Sequence, residues 1–193
     1  MHLHYNLSVD NLTHSFLENI KEHYPLADLE IRIKQKKTNN PHILTEQGFW
    51  DIISLFDWTD EEDNDRVLEP AVNALAASPI SHIYLFADML ADKLFSLDGK
   101  VYAENIGDDA YSPDVYFSVD NFLYARCCVI ANGQEMYKKV LKDPTLMPKN
   151  LTFESLLSLA SKAYLKKTGK RFEYLAATPI ETYFNKKAWQ KTS

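Results

Sequence analysis

Glycine is scarce in this sequence, with only five glycines among 193 residues. They are widely separated, at positions 48, 99, 107, 133 and 169. Loops that bind phosphate groups place several glycines close together, so that the backbone can approach the ligand. No dinucleotide fingerprint, P-loop or kinase glycine loop can be built from these positions. The familiar nucleotide-dependent enzymes are therefore excluded.

Cysteine is almost absent, because the only two are the neighbours Cys127 and Cys128. Adjacent residues on a helix point about 100° apart, so the pair suits neither a disulfide nor joint metal ligation. Two buried thiols in a reducing compartment are the better interpretation. No stretch of about 18 apolar residues occurs, and the first residues do not resemble a signal peptide. We expect a cytoplasmic protein of bacterial type.

Positive charge is also in short supply, and the net charge is −6. The chain has no basic stripe, which argues against nucleic acid or an anionic membrane as a partner. The acidic run 57–65, DWTDEEDND, lacks the alternating ligands and central glycine of a calcium loop, but it could face a basic protein. His14 with Glu18 and Glu22 is too sparse for a metal site. We expect no metal, no cofactor and no catalytic motif.

The first 36 residues predict a strand–helix–strand unit. Apolar and polar residues alternate in residues 2–7, HLHYNL, and in residues 29–34, LEIRIK, as in half-buried strands. Between them, apolar residues four apart predict a helix capped by Ser8 or Asp10. Two strands alone leave bare edges, so we expect this unit to form a homodimer contact or to lean on the rest of the chain.

The remaining domain, residues 45–193, predicts a helical body with an aromatic C-terminal tail. Thr45 can cap a first helix, and Ser118 can cap the helix that contains Arg126. Thr59 and Glu62 have the spacing of a capping box, and Pro70 should kink or restart the helix that they open. The predicted fold class is α+β and mainly α.

Arg126 stands alone in the apolar segment FLYARCCVIA. A guanidinium keeps its charge, so a buried one needs hydrogen-bond acceptors. Asp120 lies about 120° around the helix and is not on the same face; the other nearby acids are Asp108, Asp109, Asp114 and Glu135. Two interpretations stay open. Arg126 either forms a structural bridge to a loop acid, or holds an anion in a cleft beside a tyrosine.

Ordered, widely spaced residues carry a resemblance to a known family. They are an early Phe-Trp pair, an Asp-x-Phe-x-x-x-Arg segment, and a later glycine, tyrosine and Asp-Pro: Phe49, Trp50, Asp120, Phe122, Arg126, Gly133, Tyr137, Asp143 and Pro144. Over roughly residues 45–169 the chain resembles the bacterial domain-of-unknown-function family 4240. It departs from the family at Asn121, where a second acid is common, and in the segment VYAENIG. The resemblance implies a helical fold and a preserved role for Arg126, and it supplies no established activity.

Two functional hypotheses follow. The first is a non-catalytic module that binds another protein, in a regulatory or toxin-neutralising role. The second is an enzyme or small-anion binder with a cleft around Arg126, Asp120 and Tyr137, to which Trp50 would also contribute.

Overall fold

The computed structural model describes residues 13–25, 43–60 and 63–190. Its regular structure in these residues consists of helices and short 3-10 turns, without strands. The helices are α1 (His14–His23), α2 (Glu46–Ile53), α3 (Asn64–Ala77), α4 (Ile80–Ser96), α5 (Lys100–Ala103), α6 (Val119–Ala131), α7 (Gly133–Lys142), α8 (Leu159–Thr168) and α9 (Lys186–Gln190). The mainly helical class is therefore confirmed.

The chain divides into two units, Met1–Asn39 and Asn40–Ser193. In the first unit, the predicted helix is present as α1, but its cap is Thr13 rather than Ser8 or Asp10. The Thr13 side chain accepts a hydrogen bond from the backbone N–H of Phe16 at 3.3 Å. The two predicted strands lie outside the described residues, so the strand–helix–strand unit is not seen, and the predicted dimer contact lies there too.

In the second unit, two of the predicted helix starts are correct and a third is wrong. Thr45 caps α2 and Ser118 caps α6, as predicted. The capping-box prediction is wrong, because α3 begins at Asn64 and its cap is Asp63. Thr59 instead lies in a 3-10 turn and hydrogen-bonds the Asp57 carboxylate. The backbone passes through Pro70 inside α3 without ending the helix.

Helix α6 is central to the second unit because it lacks a polar face in its second half. Every residue from position 125 to 131 is buried. A helix that is apolar all round is stable in water only when other elements bury each of its sides. Here α4, α7 and the 3-10 turn at Glu154–Ser158 pack against it. This arrangement carries Arg126 into the core.

The C-terminal segment, residues 170–190, follows α4 along its length. Tyr174 Oη donates to the Asp88 carboxylate at 2.8 Å, and the Thr178 hydroxyl bonds Asp92 one turn further on. Beyond the end of the helix, the backbone of Asn185 donates to Asp98 at 2.8 Å. The segment is thus held by side chains at intervals rather than by secondary structure of its own, until α9 begins.

Candidate functional site

Arg126 is fully buried, and its guanidinium joins three parts of the chain. One terminal nitrogen donates to the Leu94 carbonyl oxygen of α4 at 3.0 Å. The other donates to the Ile180 carbonyl oxygen and to the Thr182 hydroxyl, both at 3.0 Å. Two of the three acceptors therefore belong to the C-terminal segment, which the guanidinium fastens to α4 and α6.

The surroundings of Arg126 are apolar apart from these acceptors. The guanidinium carbon lies 4.8 Å from the centre of the Phe122 ring, one turn earlier in α6. Its Nε has no hydrogen-bond partner. Burial lowers the pKa of Arg126 to about 10, against the opposing attraction of the Asp98 and Glu181 carboxylates. Because arginine remains charged at neutral pH, the site holds a cation whose two terminal nitrogens both donate to protein oxygens.

Asp98 is the second fully buried charge, and it also binds the C-terminal segment. Its carboxylate accepts the backbone N–H of Tyr183 at 3.2 Å and that of Asn185 at 2.8 Å. It also accepts the indole N–H of Trp189 at 2.7 Å. Sequence reasoning missed this residue, because Ser-Leu-Asp-Gly after a helix looks like an exposed turn. The pairing partners lie 85 to 91 positions away, and no local pattern reveals them.

The predicted acid partners of Arg126 do not bind it. Asp120 lies exposed in the first turn of α6, where an acid is favoured by the helix dipole. No carboxylate of the described residues lies within ion-pair distance of the guanidinium. The expected bridge to a loop acid is therefore corrected to carbonyl and hydroxyl acceptors. Arg126 is nevertheless hydrogen-bonded within the fold.

Trp50 and Tyr137 meet at a separate cluster, around the ammonium of Lys93. Their ring centres lie 5.4 Å apart, and Lys93 Nζ lies 4.9 Å from the Trp50 ring and 5.3 Å from each of the Phe49 and Tyr137 rings. Lys93 also donates to the Glu46 carboxylate at 2.9 Å, and this lysine lowers the pKa of Glu46. The indole N–H of Trp50 is buried and has no hydrogen-bond partner. The ammonium of Lys93, from the same chain, therefore occupies the position over these three rings.

Large apolar side chains are exposed where the C-terminal segment meets the loop before α6. Tyr116 is 91% exposed, Val115 65% and Phe184 55%. We call this set the aromatic surface: Val115, Tyr116, Val119, Tyr183 and Phe184. Its two halves are joined by the Thr182 hydroxyl, which donates to the Val119 carbonyl oxygen at 2.8 Å. The sequence shows these residues in two separate segments, which the Thr182 hydrogen bond and the contact between the Phe117 and Tyr183 rings, with centres 6.4 Å apart, bring together.

Tyr183 has an unusual backbone in this surface. Its φ angle is 76°, in the left-handed region that residues with a side chain rarely adopt. The Asp98 carboxylate holds its N–H, and the Trp189 ring lies 4.3 Å from the tyrosine ring. Holding a non-glycine residue there costs about 1–3 kcal/mol, and such strain concentrates at functional sites.

The described residues contain no group of three or more histidine, cysteine or acidic side chains arranged to hold a metal ion. Cys127 and Cys128 are free and buried, as predicted, and burial raises the pKa of Cys127 to about 12. At neutral pH this thiol is protonated and is a poor nucleophile.

The acidic run 57–65 is partly used within the fold. Asp63 caps α3, and Lys162 pairs with Asp65 at an open groove of about 220 Å³ between α3 and α8. Residues 61 and 62 lie outside the described part. In the residues that the structure describes, no helix has the length and apolar character needed to cross a membrane.

Comparison with known proteins places the chain in a family. No curated protein and no solved structure matches it. A family model described as "Protein of unknown function (DUF4240)" matches residues 44–166, which is more than half of the chain. The match runs from α2 into α8, includes Arg126, and stops before the C-terminal segment that supplies two of the acceptors of Arg126. The resemblance found in the sequence is thus confirmed: this chain belongs to the DUF4240 family.

Proposed function

We propose that this chain is a non-catalytic protein-binding module of the cytoplasm, and that the aromatic surface contacts its partner. The observation that carries the proposal is the exposure of Tyr116 and Phe184 on a surface whose C-terminal half is held by two buried charges. Exposed apolar patches on folded proteins mark sites of interaction, and aromatic residues supply much of the binding energy at interfaces.

The architecture beneath the surface supports this function. Arg126 and Asp98 each bind the C-terminal segment just before or within the exposed residues. A surface that is rigid before binding loses less conformational entropy when it docks. The strained backbone of Tyr183 fits the same purpose, because it fixes one aromatic side chain in a direction that relaxed backbone would not give.

The alternative, an enzyme or anion binder around Arg126, Asp120 and Tyr137, has less support. A bound anion would need the terminal nitrogens of Arg126, and both already donate to protein oxygens. Asp120 is exposed at the start of α6, whereas Tyr137 lies against Lys93. The contacts of these three residues therefore do not place them around one cavity.

The test is affinity capture from the cells that produce the protein, with three tagged full-length chains. The wild type is compared with a Tyr116→Ser/Phe184→Ser double variant and with Leu175→Ser. Leu175 is 89% exposed, and it follows Tyr174, whose partner Asp88 lies about 12 Å before the end of α4 at Ser96. It therefore controls for loss of an exposed apolar side chain elsewhere.

We expect the wild type and Leu175→Ser to capture the same protein, and the double variant to lose it while keeping its helical circular dichroism. Equal capture by all three chains would contradict the proposed surface. A captured partner that is released by excess of a small anion would favour the alternative site instead.

A further inference from the structure

The border of the aromatic surface carries charge of one sign. Residues 107–121 and 178–184 together contain Asp108, Asp109, Asp114, Asp120 and Glu181, and they contain no lysine or arginine. Two of the acids are neighbours in sequence of the exposed apolar residues, since Asp114 precedes Val115 and Asp120 follows Val119.

In the residues that the structure describes, none of these five carboxylates forms an ion pair; buried Arg126 attracts Glu181 without contacting it. Some acids elsewhere in the second unit do form ion pairs, among them Glu46 with Lys93, Asp65 with Lys162, Glu104 with Lys100 and Glu135 with Lys138. At the border, Asp109 instead accepts from the Asn121 amide at 2.9 Å, and Asp108 from the Asn150 amide at 3.2 Å. A neutral amide fixes the position of a carboxylate and leaves its charge in place.

Two lysines follow the surface in sequence and reduce this negative field without removing it. Lys186 and Lys187 of α9 are exposed, and neither forms an ion pair with the border acids. The N-terminus of α6 also offsets part of the negative charge of Asp120, because the helix dipole places less than one full positive charge there. The border therefore keeps an excess of negative charge that an external cation can use.

From this arrangement we propose that the aromatic surface takes a basic, amphipathic segment of a partner protein, and this inference rests on the proposed function. Apolar side chains of the segment would pack on Tyr116 and Phe184, and its lysines or arginines would approach Asp114, Asp120 and Glu181. Burial of apolar area supplies affinity, and complementary charge at the rim supplies selectivity and faster association. The same carboxylates repel nucleic-acid phosphates and anionic lipid headgroups.

The experiment selects ligands without assuming their sequence. A displayed library of random 12-residue peptides is panned against the full-length wild type. Peptides that also bind the Tyr116→Ser/Phe184→Ser variant are removed, so that the rest depend on the aromatic surface. We expect the remaining peptides to be enriched in lysine or arginine together with large apolar residues.

Charge-neutralising variants then measure the contribution of the border. Asp114→Asn/Glu181→Gln should increase the dissociation constant of a selected peptide by about threefold to tenfold, as expected for two exposed charge contacts. The control Glu69→Gln/Glu173→Gln makes the same change in net charge at exposed positions elsewhere and should leave it unchanged. Raising the salt concentration should reduce the difference between the two variants.

Other outcomes overturn the inference in distinguishable ways. Surface-dependent peptides that are neutral or acidic would overturn the basic partner and leave the protein-binding function standing. No surface-dependent peptide would overturn both. Sedimentation of the wild type before panning checks a third outcome, because a dimer lost in the Tyr116→Ser/Phe184→Ser variant would assign the surface to a second copy of the chain.

Discussion

Replacing Arg126 by methionine removes the charge and keeps a long apolar side chain in its place. Three hydrogen bonds from the guanidinium are lost, each contributing about 2 kcal/mol for a charged donor. The loss is partly offset, because the cost of holding the charge out of water also disappears. That cost lowers the pKa from 12.5 to about 10, which corresponds to about 3 kcal/mol. We expect a net destabilisation of about 3 kcal/mol.

Thermal unfolding followed by circular dichroism measures this change. For a chain of this length, about 3 kcal/mol lowers the Tm by about 6–12 °C. Arg126→Lys should lower it at least as far, because an ammonium keeps the buried charge but cannot reach all three acceptors. A lysine variant as stable as the wild type would mean that charge alone, without the forked geometry, fixes the segment.

Arg126→Met should also loosen the C-terminal segment under conditions in which the rest of the domain stays folded. Under native conditions, trypsin should cut at Lys186 and Lys187 faster in Arg126→Met than in the wild type. Leu75→Ala is a matched control, since Leu75 is fully buried in α3 and its truncation costs a similar 2–5 kcal/mol. An unchanged Tm together with unchanged cleavage would refute the role assigned to Arg126.

Three other predictions address separate parts of the fold. Lys93→Met should destabilise the domain by about 1–2 kcal/mol in thermal melts, whereas Glu46→Gln, which leaves the ammonium over three rings, should cost less; equal losses would argue that only the ion pair matters. Gly107→Ala should lower the urea midpoint by about 2 kcal/mol or more, because φ is 102° and a Cβ would lie 2.1 Å from Asn150 Oδ1; a wild-type midpoint would show that the turn relaxes. Burial raises the pKa of Cys127 from 9.0 to about 12. Below pH 9 the thiol is protonated in both states, whereas between pH 9 and 12 it ionises only in the unfolded chain, so the free energy of unfolding falls as the pH rises. The wild type should therefore lose up to about 4 kcal/mol relative to Cys127→Ala across that range, and parallel pH profiles of the free energy of unfolding would contradict this.

Local patterns were sufficient to predict most of the helical body. The caps at Thr45 and Ser118 and the burial of the helix around Arg126 follow from residues close together in sequence. The predicted start of α3 was wrong because Thr59 and several acids, including Asp63, lie in one short run and can all act as caps. Several equivalent cap residues leave a helix start undetermined when tertiary contacts are unknown.

The candidate site was less predictable, because it depends on contacts across long sequence separations. The Ile180 carbonyl that binds Arg126 is 54 positions away, and a backbone carbonyl carries no residue-type signal. Asp98 was hidden for the same reason. The acids near Arg126 were attractive partners only because sequence proximity was the available guide, and helix geometry already turns Asp120 to another side.

The most direct test of the central claim is hydrogen exchange of the wild type with and without its captured partner or a selected peptide. The account predicts slower exchange in residues 115–121 and 180–185, with little change in the α3–α8 groove that contains Asp65 and Lys162. Protection in that groove, with unchanged exchange around Tyr116 and Phe184, would show that binding occurs elsewhere and would contradict the account.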